Sequence, residues 1–210
     1  MNPDEVRQQW VERDAAYSPG YYAYYGPDER SDQVRNVLDA IIDPDDAVLE
    51  VGCSSGRHLA HLHEHGYTNL HGIEINDDAL DVMEDTYPEL AAAGTFSLDA
   101  IENVVPEFED GRFDAVYSVE TLQHLHPDDA WAFEDLARIT DDVLLTLENE
   151  GDGESTTEVA TTGGNAIPLY FRRWDRVFTA FGFDEVESTV IDRVTLRTFR
   201  PAGSIDEESH

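Results

Sequence analysis

The stretch Ala47–Leu62, AVLEVGCSSGRHLAHL, constrains the chain more than any other. Ala47 to Val51 is apolar except for Glu50 and reads as a buried strand. Gly52-Cys53-Ser54-Ser55-Gly56 follows as a turn. Leu59 and Leu62 then recur at helical spacing, and Gly66 stops the helix. Strand, glycine turn and helix in this order make half of a nucleotide-binding unit. A glycine where the chain leaves the strand lets a ligand approach the backbone. A second glycine four residues on opens a helix whose N-terminal amides favour negative charge. Glu50 falls where a carboxylate points into the crevice at the C-terminal edge of an open α/β sheet.

The remaining chain alternates in the same way. Residues 3–14 read as a helix with Val6 and Trp10 on one side. Tyr17–Pro27 is a turn-rich segment with five tyrosines and no helix or strand stripe. It suits either a surface loop or a lid over a pocket. Ser31 is placed to cap a helix carrying Val34, Val37, Leu38 and Ile41. Leu70–Ile75 reads as a second strand, and Asn76 caps the helix after it. Thr95–Leu98, Phe113–Ser118 and Asp142–Leu147 are further strands, with a helix over 127–138. A polar loop spans 149–165, then a helix 168–181, then the strands Glu185–Val190 and Val194–Phe199. The alternation predicts an α/β fold of parallel strands with helical crossovers, closed by an antiparallel pair. The division expected is an N-terminal helix and tyrosine-rich segment over 1–30, one domain over 31–200 and an acidic tail over 201–210.

Charge limits the partners. Asp and Glu number 46 against 13 Lys and Arg, all 13 of them Arg, for a net charge of -33. That field opposes unassisted binding to nucleic acid or to an anionic membrane, so neither is expected as a partner, and the chain is expected as a monomer or homodimer. The composition is not that of a disordered chain, since 40% of residues are apolar. It reads as adaptation to molar salt, where the Debye length is about 3 Å. No window approaches 18 apolar residues, no leader pattern opens the chain, and the single cysteine, Cys53, fits a reducing cytoplasm.

Two fingerprints bear on the glycine turn. The dinucleotide fingerprint G-x-G-x-x-G is not met, because position 54 is Ser and position 57 is Arg. The hydrolase elbow G-x-S-x-G is met, with Ser54 as nucleophile, but no strand precedes it and the only histidine after His126 is His210. Glu74 lies 22 residues beyond Gly52, at the end of the second strand in an otherwise apolar run. A carboxylate there can accept both hydroxyls of a ribose. Among bases near the sheet's C-terminal edge, Glu120, His124, Glu148 and Glu150 follow the fourth and fifth strands, and His124 has the most suitable intrinsic pKa. His61, His63 and His65 lie on one helix without an evident further ligand, so no metal site is expected. Tyr170, Arg172 and Arg173 could meet an acidic substrate.

Four segments in order resemble the class I S-adenosylmethionine-dependent methyltransferases of the small-molecule branch. VLEVGCSSG (48–56) is similar to their first motif and GIEIN (72–76) to their second. FDAVYS (113–118) with TLQHL (121–125) is similar to the fourth-strand motif. Phe178 with Gly182-Phe183 is similar to the helix leading into the last hairpin. Ser54 departs from the family, which commonly has glycine there. The resemblance implies a Rossmann-like sheet of seven strands, order 3-2-1-4-5-7-6, with the last strand antiparallel and helices on both faces. It implies S-adenosylmethionine as cofactor. Gly52, Cys53, Ser54 and Gly56 would run along its methionine part and Glu50 would hold the ammonium. Glu74 would take the ribose, Ile75 would pack on the adenine, and Asp99 with Ala100 would meet the adenine edge. Ser118 would lend a carbonyl. Arg57 or Arg30 would hold the cofactor carboxylate. Tyr21, Tyr25 and Arg30 would form the lid and acceptor side, with His124 or Glu120 as base. The activity implied is methyl transfer to O, N or S of a small molecule. A module that binds the cofactor without transferring the methyl is the alternative, and a Ser54 hydrolase the remote one.

Overall fold

The computed structural model describes residues 1–13, 16–151, 157–160 and 167–204, with only the backbone of 157–160 and 167. The acidic tail falls outside them from residue 205 on, as does most of the polar loop.

A seven-stranded sheet forms the centre. Its strands are β1 (Ala47–Val51), β2 (Asn69–Glu74), β3 (Thr95–Leu98), β4 (Phe113–Val119), β5 (Thr140–Glu148), β8 (Phe183–Ile191) and β9 (Val194–Pro201), in the spatial order β3-β2-β1-β4-β5-β9-β8. A separate two-stranded ladder pairs β6 (Thr157–Ala160) with β7 (Ile167–Tyr170). Counted within the large sheet alone, the order is the expected 3-2-1-4-5-7-6. β1 to β5 are parallel, and β9 runs antiparallel between β5 and β8. The fold class and topology expected from the sequence hold.

Period-two alternation splits the core between the two faces of the sheet. Val48, Tyr117, Leu145 and Leu147 point to one face, against Val34 and Leu38 of α3 (Glu29–Leu38), Leu59 and Leu62 of α4 (Arg57–Glu64) and Met83 of α5 (Asp78–Thr86). Leu49, Val51, Val116 and Leu144 point to the other, against Phe133 and Leu136 of α8 (Ala132–Arg138) and Trp174 and Phe178 of α9 (Trp174–Thr179). β8 is exposed from Asp184 to Val190, and Asp184, Glu185 and Glu187 guard this bare edge against pairing. No helix among the described residues is long and apolar enough to cross a membrane.

Several local expectations change. The tyrosine-rich segment contains a helix, α2 (Pro19–Tyr25), started by the Ser18 side chain and Pro19. Ser31 does not cap α3. Asp28 does, and the Ser31 hydroxyl oxygen accepts the Asp28 amide as the third residue of a capping box. Asn76 lies one residue before the cap position of its helix, although its side chain accepts the Asp78 amide. The helix expected over 168–181 begins only at Trp174, because Ile167–Tyr170 is taken into the ladder with β6. Pro168 is tolerated there because a two-stranded ladder is all edge.

Candidate active site

The C-terminal ends of β1, β2 and β4 open onto one cavity of about 1090 Å³, its mouth included. This is where open parallel sheets place ligands, at the reversal of strand order beside β1. Gly52, Cys53 and Ser54 form its floor, and Glu50, Glu74, Ile75, Asp99, Ala100 and Arg57 line it. These expected cofactor residues therefore share one space. Gly52 has φ +73°, and a Cβ there would meet the Thr121 side chain at 2.3 Å, so glycine is required twice over. Ser54 takes a left-handed φ of 50°, the conformation that glycine adopts without cost. Gly56 does not line the cavity. At φ +78° it starts α4, and a Cβ there would strike Met83 and Leu90, the latter on α6 (Pro88–Ala93).

Glu50 is 1% exposed, and the Tyr117 hydroxyl donates to it at 3.0 Å. Burial pushes its carboxyl up to about 8, against the pull of that hydrogen bond. Glu74 accepts three backbone amides: Ser54 at 2.7 Å, Ile75 at 2.8 Å and Asn76 at 2.9 Å. Burial raises its pKa, and those three amides oppose the rise. Asp99 follows β3 and accepts from the Asn103 side chain and the Ala100 amide, which lower its pKa.

Beyond β4 the chain turns through Glu120, at φ 51°, and a single 3-10 turn over Leu122–His124. Val119, Glu120, Thr121, His124, Leu125 and His126 all line the cavity. The His124 Nδ1 lies 3.0 Å from the Pro168 carbonyl, which can only accept. The ring therefore carries its proton on Nδ1 and leaves Nε2 as an acceptor. Burial lowers its pKa to about 4, so it is neutral at pH 7. Glu120 is committed differently: Arg193 pairs with it at 2.8 Å and Arg30 at 3.5 Å.

The outer wall comes from the first helix, α1 (Pro3–Val11), with Val6, Arg7 and Trp10 facing the cavity. Its Trp10 ring meets His124 edge-on at 4.6 Å. Arg7 bonds Glu102, on the short helix α7 (Ile101–Val104), and Asp129 at 3.0 Å. The Asn76 side chain donates to the carbonyls of Trp10 and Arg13 at 3.2 and 3.1 Å. α1 is thus tied down at its middle, by Arg7, and at its C-terminal end, by Asn76.

Some expected site residues lie elsewhere. Tyr21 and Tyr25 do not line the cavity; Tyr17 and Tyr22 of the same segment do. Alternate sides of α2 explain this, and Tyr25 is 62% exposed. Arg30 is also outside the lining. Ser118 is buried in the sheet, its hydroxyl donating to Glu148 at 2.6 Å. Arg57 reaches the cavity but is 3.2 Å from Asp28 and stacked over Tyr22. Arg13 was missed by sequence reasoning. It lines the cavity, its Nε donates to Ala16, and it has no carboxylate partner among the described residues. The Ser54 hydroxyl has no histidine partner among the described residues, which leaves the hydrolase constellation unassembled. Glu148 is buried under the turn and does not reach the cavity. Arg172 lies beside the same turn.

Residues 48–142 match a family described as a methyltransferase domain. An O-methyltransferase of Pyrenophora dematioidea is 24% identical over 135 residues, 64% of this chain and 47% of that protein. The chain thus spans about half the length of this curated relative. Among solved structures, 1,6-didemethyltoxoflavin-N1-methyltransferase of Burkholderia thailandensis, with S-adenosylhomocysteine bound, superposes with a TM-score of 0.70 at 16% identity, covering 96% of this chain and 91% of that one. An S-adenosylmethionine-dependent methyltransferase of Mesorhizobium loti gives 0.59 at 13%, covering 79% and 96%. The cyclase SpnF gives 0.64 at 15%, covering 92% and 87%. At such identities the likeness establishes the fold, which hosts more than one chemistry. Residues 48–142 therefore resemble a methyltransferase domain, and the solved structures share the fold of the whole sheet.

Proposed function

We propose that the protein transfers the methyl group of S-adenosylmethionine to an O, N or S atom of a small molecule. One observation carries this reading: Glu50, Glu74 and Asp99, from the C-terminal ends of three adjacent parallel strands, line one cavity with the Gly52 turn. The residues fit the cofactor. Glu50, a buried acid whose neutral form is favoured, gains most from an ammonium beside it. Glu74 already accepts three amides and keeps lone-pair capacity for a ribose hydroxyl. Ile75 offers an apolar face to the adenine, and Asp99 with the Ala100 amide its polar edge. For the cofactor carboxylate, Arg13 is better suited than Arg57 or Arg30, both of which already bond Asp28.

The cofactor when bound supplies a methyl carbon activated by a sulfonium. The chain then has to orient the acceptor and exclude water. Trp10, Tyr17, Tyr22 and Leu125 provide the apolar walls for that. The neutral His124 can take a proton at Nε2 from an acceptor that must lose one. Glu120, held by two arginines, serves the frame of the site rather than proton transfer.

Calorimetry with S-adenosylhomocysteine in molar KCl tests the reading. Binding with about micromolar affinity is expected, in the range of ordinary enzyme ligands; no binding overturns it. SpnF shows that this fold also serves a cyclase, which favours a second reading in which the site binds the cofactor without transferring its methyl. Binding without turnover across a broad panel of phenols, amines and thiols selects that reading. The acidic, lysine-free composition supports a saline habitat, and the single buried cysteine a reducing compartment.

A further inference from the structure

Two polar side chains behind the cavity do not line it, the buried Glu148 and the half-buried Arg172. Glu148, at the end of β5, is fully buried. It accepts the Ser118 hydroxyl at 2.6 Å and three consecutive backbone amides, Thr121 at 3.1 Å, Leu122 at 3.0 Å and Gln123 at 3.2 Å. Arg172 comes from the segment after β7. It donates to the carbonyls of Leu122 at 3.2 Å, Leu125 at 2.6 Å and Tyr170 at 3.2 Å. The rings of Phe133, Tyr170 and Trp174 surround its guanidinium at 5.1, 5.7 and 5.6 Å. No carboxylate pairs with it directly among the described residues. A cation so enclosed, in a chain with 46 carboxylates, is spent on main-chain oxygens.

The two charges grip opposite ends of one 3-10 turn. The carboxyl group takes the free N–H groups at its start; the guanidinium takes the Leu125 carbonyl just past its end and shares the Leu122 carbonyl with the Leu125 amide. This is the sense in which a helical turn's dipole is stabilised by charge. A single turn has no cooperative stability of its own, so its shape depends on such external partners. The turn carries Thr121, which covers Gly52, and His124, whose ring stands between Trp10 and the Pro168 carbonyl. Gln123, inside the turn, is fixed from outside as well. Its side-chain oxygen accepts the Asn149 amide at 2.9 Å, and its nitrogen lies 3.5 Å from His124 Nε2.

We propose that Glu148 and Arg172 are positioning residues: a buried carboxyl group and a half-buried guanidinium that hold the turn 121–125 by its main chain and so set the ring of His124 in the cavity. The clamp stands on this geometry alone; its purpose rests on the methyltransferase reading. Neither residue touches the reacting groups, so both act through His124 and Thr121.

The test reads the His124 imidazole by nitrogen-15 NMR in the full chain. Its assigned resonances give the tautomer and the titration midpoint in wild type, Glu148→Gln, Arg172→Lys and Arg172→Met, with Arg173→Met as the control. In wild type, burial is expected to hold the midpoint of the Nδ1–H form down to about 4. The clamp predicts that Glu148→Gln and Arg172→Lys keep a dispersed spectrum but move that midpoint upward by at least about one pH unit and mix the tautomers, as the ring loses its fixed surroundings. Arg173→Met leaves both unchanged. If Arg172→Met does not fold, the two milder variants decide the outcome. Folded variants that melt earlier but keep the wild-type tautomer and midpoint overturn the proposal, because they show a merely structural role. S-adenosylhomocysteine binding, measured on the same samples, separates the two failures. Its absence in wild type removes the methyltransferase reading and leaves the clamp to be judged by His124.

Discussion

Glu50 is a carboxyl group held beside a phenol, out of water, with its proton favoured up to about pH 8. A ligand that brings an ammonium to it must drive that proton off. Binding of S-adenosylhomocysteine at pH 7 is therefore expected to release close to one proton. Calorimetry in buffers of different ionisation enthalpy measures this release, and Glu50→Gln abolishes it. The same variant weakens binding roughly 10- to 100-fold, the value of a charge-assisted hydrogen bond of about 1.5–3 kcal/mol. An unchanged affinity removes Glu50 from the site. Arg13 makes a parallel prediction. Arg13→Met should weaken S-adenosylhomocysteine about tenfold or more and leave 5′-methylthioadenosine, which lacks the carboxylate, within about twofold. Equal losses for both ligands show that Arg13 serves the fold and not the carboxylate.

Among the elements, α1 carries the most function for its length. It is nine residues long, with a capping box at Asn2 and three anchors inward: Arg7, Trp10 and the carbonyls held by Asn76. Arg7→Met removes the partly enclosed ion pairs to Glu102 and Asp129. Hydrogen exchange of the α1 amides should quicken about tenfold while β1, β4 and β5 exchange as before, since local opening draws on local contacts. Unaltered α1 protection sinks this assignment. The sequence showed α1 as a helix but not what it covers, because its partners Glu102 and Asp129 lie about 100 residues away and neither is a motif residue. The sheet was legible because β1, β4 and β5 are mostly apolar runs and the remaining strands stand between glycine, proline or acidic turns. Glu74 and Asp99 were legible because a strand end places them. β7 was not, because Ile167–Tyr170 joins directly to the helical spacing of Trp174, Val177 and Phe178. Nor was the burial of Glu148 and Arg172, since a carboxylate after β5 and an arginine before a late helix look like any surface charge until the turn between them is built.

The molecule as a whole sums two opposed responses to pH. Glu50 and Glu148 have carboxyls raised by burial, to about 8 and about 7, from an ordinary 4.5. Between pH 4.5 and those values the unfolded chain has lost protons that the folded chain keeps. Their contribution is therefore fully present below about 4.5 and is lost as pH rises to 8. Asp28, Asp99 and Asp175 are lowered, so theirs is present above the ordinary carboxylate range and lost in stronger acid. Melting should be highest on the acid side of neutrality and fall by about 10 °C between pH 5 and 8, for a change on the order of a few kcal/mol. Glu50→Gln with Glu148→Gln flattens that slope; a slope unchanged in the double variant assigns it to other groups. Salt acts on the net charge of -33. Raising KCl from about 0.1 to about 2 M should lift the melting temperature by about 10 °C or more, as self-repulsion is screened. A flat response removes the reading of salt adaptation. α1 is an outer wall fastened at its middle and at its C-terminal end. Entry of a ligand the size of a nucleoside is expected to depend on the release of that wall. At high concentration the observed association rate should then stop rising with ligand and settle at the frequency of release, and loosening Arg7 should raise that plateau.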